Sequence, residues 1–411
     1  MLLYLPAVFF LILTIRSIRK YGWNIQALLY ALFAITGIAS ILIDINGLYV
    51  RTCVKMPLGF FAPLTYCIFL YVTIHPFGHL FRGDRITYIN KIKNEKFIDR
   101  IEFFFFAVFL LVLCVAFTRL DEILFHSVLN EVRQDRYMYG TTSFYDHLSG
   151  IPRYICAIST FFFAASYINL LFFFYDITCR SKSLVSNCMT LLGSTSPLLS
   201  SVMQADRSQF LYYIFLFTFC FTLFYRNMDK QRIRKLFAMI VPLILGVIVY
   251  FISVSISRWG QDEEAGGSVI IYVGQNFINY CNFTNNLWDT PRSLCELFPF
   301  TTAITGGKGY FEFAELVEKA SHIPIAVFST FLGLIFSISG PVGLLLFLFF
   351  YWTVSRKMLI RKKKEFISLS DYINLWIVAL VPLLGVFGYF YMEMNATLAI
   401  LFWLYFAKKS H

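Results

Sequence analysis

Two stretches, 103–117 and 210–225, run for 15 and 16 residues without a charged side chain, and the first opens on four consecutive phenylalanines, Phe103 to Phe106. Lipid offers no partner to a backbone N–H or C=O, so only helices and closed barrels cross a bilayer. A barrel strand alternates apolar and polar side chains, and four adjacent phenylalanines break that alternation. A crossing helix needs about 20 mostly apolar residues, and about half of this chain lies in runs of that kind. Charged residues make up 14%, against about 25% in ordinary soluble domains. The fold class is therefore all-α: a polytopic integral membrane protein.

Eleven apolar spans are predicted, at 2–15, 25–43, 56–74, 101–117, 151–175, 183–203, 209–225, 236–255, 323–354, 372–391 and 396–407. Together they form a single membrane domain over 1–411. At about 1.5 Å per residue, the stretch 323–354 exceeds one crossing. It reads as a helix in or near the interface up to Ile338, with the crossing from Gly340 onward. No internal repeat is visible, and Met1 to Ile15 lacks the basic start and small-residue cleavage site of a removable leader.

The formal charge of +11 raises the question of a nucleic-acid partner. Cytoplasmic loops of membrane proteins collect Lys and Arg, and this pattern explains the charge without nucleic acid. With eleven alternating spans and the N-terminus outside, the inner segments hold 24 of the 35 Lys and Arg. Two loops then face outward, 119–150 and the longer 257–322. The nine cysteines have no metal-ligand spacing. Cys281 and Cys295 share the long loop and could pair there in an oxidising compartment.

Candidate chemistry gathers in these outer segments. Arg207, in Gln204-Ala-Asp-Arg-Ser-Gln209, stands where one span ends and the next begins, and Asp206 beside it could simply pair with it. Arg258 follows the eighth span, and Arg292 lies in the long loop. A guanidinium offers a planar fork to phosphate oxygens. An Arg at this depth also snorkels to headgroups or forms a structural ion pair. Arg136 and Arg153 belong to the first outer loop or its end. Asp262, in a run of three carboxylates, and His322 are candidate proton acceptors, though both residue types are commonplace in solvated loops. The stretch 269–288 reads as an interfacial amphipathic helix, and Tyr272, Asn276 and Trp288 on it suit stacking and hydrogen bonding to sugar rings. Gly306-Gly-Lys-Gly309 lacks the spacing of a phosphate loop.

The layout resembles the bacterial O-antigen polymerase (Wzy) and oligosaccharide repeat-unit polymerase family. The resemblance rests on Asp206-Arg-Ser208, the large loop 257–322, Ser329-Thr-Phe-Leu-Gly333 and Ser339-Gly-Pro-Val-Gly343. It covers most of the chain by topology and about 20 residues by motif. It implies a GT-C-like membrane glycosyltransferase in the bacterial inner membrane, with a large extracytoplasmic loop. Such an enzyme would transfer a growing glycan from undecaprenyl diphosphate to a new lipid-linked repeat unit, without cofactor or metal. Its partners would be undecaprenyl-diphosphate-linked oligosaccharide, the lipid bilayer, a chain-length regulator and a flippase. Arg207, Arg258 and Arg292 would meet the diphosphate, and Asp262 or His322 the acceptor hydroxyl. An O-antigen ligase and a lipid-linked oligosaccharide flippase are the alternatives. Short loops and charges within spans would mark the flippase.

Overall fold

The computed structural model describes residues 2–50, 52–79, 88–89, 95–118, 149–180, 182–203, 208–259, 265–298, 309–359, 366–392 and 394–409. Apart from two strands of two residues each, the regular structure of these residues is helical. Six helices are long and apolar enough to cross a membrane: Leu2–Tyr21, Ile25–Ile45, Phe61–Gly78, Glu95–Phe117, Gln209–Asn227 and Phe331–Leu359. A pair bent by 50°, Ile151–Ser166 with Ile168–Arg180, makes a seventh. The chain is a polytopic α-helical membrane protein.

The remaining expected spans take other forms. The apolar run 236–255 lies inside one continuous helix, Lys230–Trp259. The run 183–203 is broken into Leu184–Gly193 and Ser196–Met203, of 10 and 8 residues. Leu369–Leu384 and Met394–Lys409 are 16 residues each, about 24 Å at helical rise, against a hydrocarbon core of about 30 Å. The chain falls into two compact units.

The first unit comprises Met1–Tyr88, Gly266–Ile367 and Asp371–Thr397. It holds α1 (Leu5–Tyr21), α2 (Ile25–Ile45) and α3 (Phe61–Ile74). The α1–α2 turn is closed by Asn24, whose side chain accepts from the Ala27 N–H at 3.0 Å, satisfying one of the unpaired donors of a helix start. The expected span at 56–74 becomes helical only at Phe61. Pro57 has no N–H to give a helix, and residues 52–58 instead run along a later helix, Ala265–Asn286. That helix, from Gly266 onward, and Phe331–Leu359 also belong to this unit. Ile43, Cys53 and Ile278 form one of its buried clusters.

The second unit comprises Ile89–Ala265, Ser368–Ser370 and Leu398–His411. It holds α4 (Glu95–Thr118), α5 (Ile151–Ser166) and α6 (Ile168–Tyr175). Val108, Val112 and Val115, at helical spacing on α4, pack with Cys156, Phe163 and Met203. At the α5–α6 bend the Ala165 carbonyl accepts from the indole N–H of Trp403 at 3.2 Å. A wider, π-type turn, Asp176–Arg180, continues α6.

Candidate functional site

The stretch read as an interfacial helix is α7, Ala265–Asn286, and it is buried. Every residue from Gly274 to Phe283 is shielded from solvent. Gly274 permits this: a Cβ there would lie 2.5 Å from the main-chain carbonyl carbon of Ala39, so only glycine lets α7 press this closely on α2. Ser40 Oγ donates to the Gly274 carbonyl at 2.6 Å across the contact. The amphipathic reading failed because asparagine counts as polar by composition, whereas here its amides pair with backbone. Asn279 donates to the carbonyls of Thr52 and Phe328 at 2.9 and 2.8 Å. Asn282 donates to Val54 at 3.0 Å, and Asn285 to Pro57 and Leu58 at 3.1 and 2.8 Å. Residues three apart share one helix face, so this row of amides straps the non-helical segment 52–58 along α7.

A second feature is the break in α8, Phe331–Leu359, at Gly340 (φ 72°, ψ −172°). The break falls at Gly340, where the sequence places the start of the crossing, but the helix expected before it is corrected: 323–330 is not helical and Phe331–Ile338 is buried. The break strands the carbonyls of the preceding turn, because Ser337 would look to the N–H of residue 341, which is Pro341 and has none. Arg292 fills the gap: its Nη1 donates to the carbonyls of Phe336 and Ser337, each at 3.0 Å. The N–H of Ser293 donates to Ile338 at 3.0 Å. A cation at a helix C-terminus also opposes the negative end of the helix dipole. The guanidinium stands 5.5 Å from the Phe336 ring centroid, and Trp288 packs edge-on against the same ring at 5.9 Å. Arg292 Nη2 is buried without a hydrogen-bond partner. Burial holds the Arg292 pKa below its ordinary value.

Arg292 and Trp288 therefore meet at one place. Tyr272 and Asn276 do not join them, since Tyr272 lies 16 residues before Trp288, about 24 Å along the helix direction. Tyr272 packs on Phe328 with ring centroids 5.0 Å apart. The Asn276 amide donates back to the Tyr272 and Val273 carbonyls of its own helix at 3.3 and 3.1 Å. That leaves it no N–H for a sugar, although its buried Oδ1 accepts no hydrogen bond.

His322 is exposed and takes a left-handed backbone, φ 58°. Its N–H closes the helix Gly309–Ser321 on the Glu318 carbonyl at 2.7 Å, so the visible role of the residue is to end that helix. Arg153 is exposed in the first turn of α5. Arg136, Asp206, Arg207 and Asp262 lie outside the described residues, and Arg258 is placed in the helix Lys230–Trp259 by its backbone alone. Cys281 is a buried free thiol, which corrects the expected pairing with Cys295.

The sequence also missed a cluster in the second unit. Arg180 pairs with Asp99 at 2.6 Å, Asp176 at 3.1 Å and Glu102 at 3.7 Å. Lys182 pairs with Asp99 and Asp176, each at 2.8 Å, and with Glu102. The Asp176 side chain is fully buried and that of Arg180 only 4% exposed. Nearby, Arg232 Nη1 donates to the Thr178 carbonyl at 2.5 Å. The available signal was spacing: Asp99 and Glu102 lie three apart, and Asp176 and Arg180 four apart, so each pair shares a helix face. Among the described residues no three His, Cys, Asp or Glu side chains are arranged to hold a metal ion.

No protein-family model, curated protein or solved structure matches the chain.

Proposed function

We propose that this chain is a glycosyltransferase of the bacterial inner membrane, GT-C-like with eleven spans. In this reading it polymerises undecaprenyl-diphosphate-linked oligosaccharide repeat units at the outer face. The observation that carries the reading is the break at Gly340 with Arg292 held against it. The break lies within Ser339–Gly343, one of the stretches on which the resemblance to the Wzy family rests. In this reading the donor glycan leaves behind a lipid diphosphate, whose developing charge needs fixed cations rather than water. Arg207 and Arg258 supply them, and the uncommitted Nη2 of Arg292 adds one donor. Asp262 or His322 orients or deprotonates the acceptor hydroxyl. Trp288 stacks on a sugar ring near Arg292. A chain-length regulator and a flippase act alongside.

The test is Arg207→Ala and Arg258→Ala in a strain making a long surface polysaccharide. Single repeat units should remain on the lipid A core while long chains vanish. Loss of even the single unit would assign the chain to ligation or to flipping instead. The flippase reading has one observation of its own, the buried charges of Asp176, Arg180, Glu102 and Lys182 beside a bent helix pair. Intramembrane charges and broken helices mark transport pathways. Accumulation of repeat units on the inner leaflet in the Asp176→Asn variant, measured by labelling of intact spheroplasts, would favour it.

A further inference from the structure

At the start of α2, opposite the end that meets α7, the helices α1, α2 and α3 border a half-open pocket of about 160 Å³, with Arg16 and Lys20 exposed at its rim. That is many times the roughly 10–15 Å³ of such space that one water occupies. Arg16 and Lys20 stand one helical turn apart on α1 and both line it, as do Tyr21, Tyr30, Tyr71 and His75. Its floor is built rather than accidental. The buried Gln26 donates through Nε2 to the Tyr30 hydroxyl at 3.3 Å, and the buried Ser17 hydroxyl donates to Gln26 Oε1 at 3.4 Å. No carboxylate lines the cavity, and among the described residues none lies within ion-pair distance of Arg16 or Lys20. On the same helix Val8, Leu11, Ile12 and Ile15 are exposed, so α1 presents an apolar face to lipid just before its two cations.

Two cations without a carboxylate partner, Lys20 with its Nζ 5.1 Å from the Tyr21 ring centroid, border a polar space lined by phenols just past the apolar face of α1. We infer that this cavity binds a phosphate group, with Arg16 holding two phosphate oxygens through its planar fork and Lys20 acting as a point charge. The shared chemistry has two sources, an anionic lipid headgroup and soluble phosphate. Neither depends on the polymerase reading, since the cavity and the Gly340 break draw on different residues.

The experiment uses the full chain purified in micelles of a phosphatidylcholine-like detergent doped with phosphatidylglycerol. Lipid retained on the protein is measured by native mass spectrometry, and thermal stability is followed with added phosphatidylglycerol or added sodium phosphate. The wild type should retain phosphatidylglycerol and be stabilised by it. The double variant Arg16→Gln, Lys20→Gln should bind it at least about tenfold more weakly, the loss expected for a charge-assisted pair. The control is Arg19→Gln, an exposed neighbour on the same helix that does not line the cavity, and it should bind as the wild type does. Stabilisation by sodium phosphate alone, lost in the double variant, would support the site with soluble phosphate as its source. Equal binding by wild type and double variant, or an equal loss in Arg19→Gln, would overturn the proposal and leave only a nonspecific basic helix end. Helix content by circular dichroism separates a folded double variant from an unfolded one; if the double variant is unfolded, the single variant Arg16→Gln decides by the same two measures.

Discussion

Asn282 donates its side-chain amide to the main-chain carbonyl of Val54 at 3.0 Å, across 228 positions of sequence. With Asn279 and Asn285 it fixes an irregular segment against a buried helix, where each carbonyl it pairs would otherwise be left without a donor. Leaving a buried acceptor unpaired costs about 1–3 kcal/mol, although hydrogen bonds between membrane helices average only about 0.6 kcal/mol. The higher range should apply to Asn279, which holds two carbonyls. Asn279→Ala should lower stability by about 2 kcal/mol and Asn282→Ala by about 1 kcal/mol, read as melting in detergent. Asn286→Ala, at an exposed position, should stay within about 0.5 kcal/mol. Asn279→Asp should be worse than Asn279→Ala, because a carboxylate aimed at two carbonyl oxygens repels them. Equal effects at all three positions would remove the strap as an explanation.

Cys53 reports on the same strap. It sits between Thr52 and Val54, fully buried, and burial pushes its thiol up to about 12. A maleimide attacks the thiolate, so Cys53 should stay unlabelled at pH 8 in the native protein and become reactive in an Asn279→Ala, Asn282→Ala variant. The sign of the pH effect follows. The folded pKa is raised, so the contribution is complete below the ordinary thiol value of 9.0 and declines as pH rises from there toward about 12. Cys53→Ser should therefore flatten the alkaline limb of the stability profile. Labelling of native Cys53 at the rate of a free thiol would sink this account.

Gly340 has a backbone that only glycine adopts without strain, since φ 72° with ψ −172° lies in a region closed to side chains. Gly340→Ala should cost about 1–3 kcal/mol, and its new Cβ would also press on Arg292 Nε at 3.1 Å. Arg292→Lys separates capping from catalysis. A lysine keeps the charge at the helix end but cannot hold both carbonyls and still offer a second nitrogen. If Nη2 serves the diphosphate, polysaccharide length should fall by more than about tenfold while the melting temperature drops only a few degrees. Parallel loss of both would leave Arg292 a cap and nothing else.

How much of this was legible in the sequence depends on what reported it. Hydropathy marked α1, α2, α4 and the Gly340 break, because an uncharged run and a Gly-Pro pair each act locally. It could not report the burial of α7: Asn279, Asn282 and Asn285 look solvated until Thr52, Val54 and Pro57, more than 220 positions away, supply their acceptors. It also hid the role of Arg292, since a loop arginine reads as a ligand group and the carbonyls it caps exist only once the helix breaks. His322 shows a related limit. Composition names an imidazole, whereas the position demands a left-handed residue at a helix end. The ion cluster escaped because Asp99 and Arg180 lie 81 positions apart, each in what reads as an ordinary charged turn.

That cluster yields the sharpest electrostatic prediction. Asp99, Glu102 and Asp176 bring three acids to the two cations Arg180 and Lys182, one acid more than there are cations to pair it. Removing a cation from a buried pair strands its partners and costs about 3–5 kcal/mol, whereas replacing charge by apolar volume on both sides is often neutral. Lys182→Met should therefore be strongly destabilising, for it leaves Asp176, with no exposure at all, facing two other carboxylates and Arg180 alone. Glu102→Gln removes the extra acid and keeps the shape, so it should be neutral or stabilising. The double variant Lys182→Met, Glu102→Leu should recover much of what Lys182→Met loses. The coupling between the two substitutions should exceed about 1 kcal/mol. Additive behaviour of the pair in detergent unfolding, or a Lys182→Met variant as stable as the wild type, would mean that these charges find water and that the cluster does not hold the ends of α4 and α6 together.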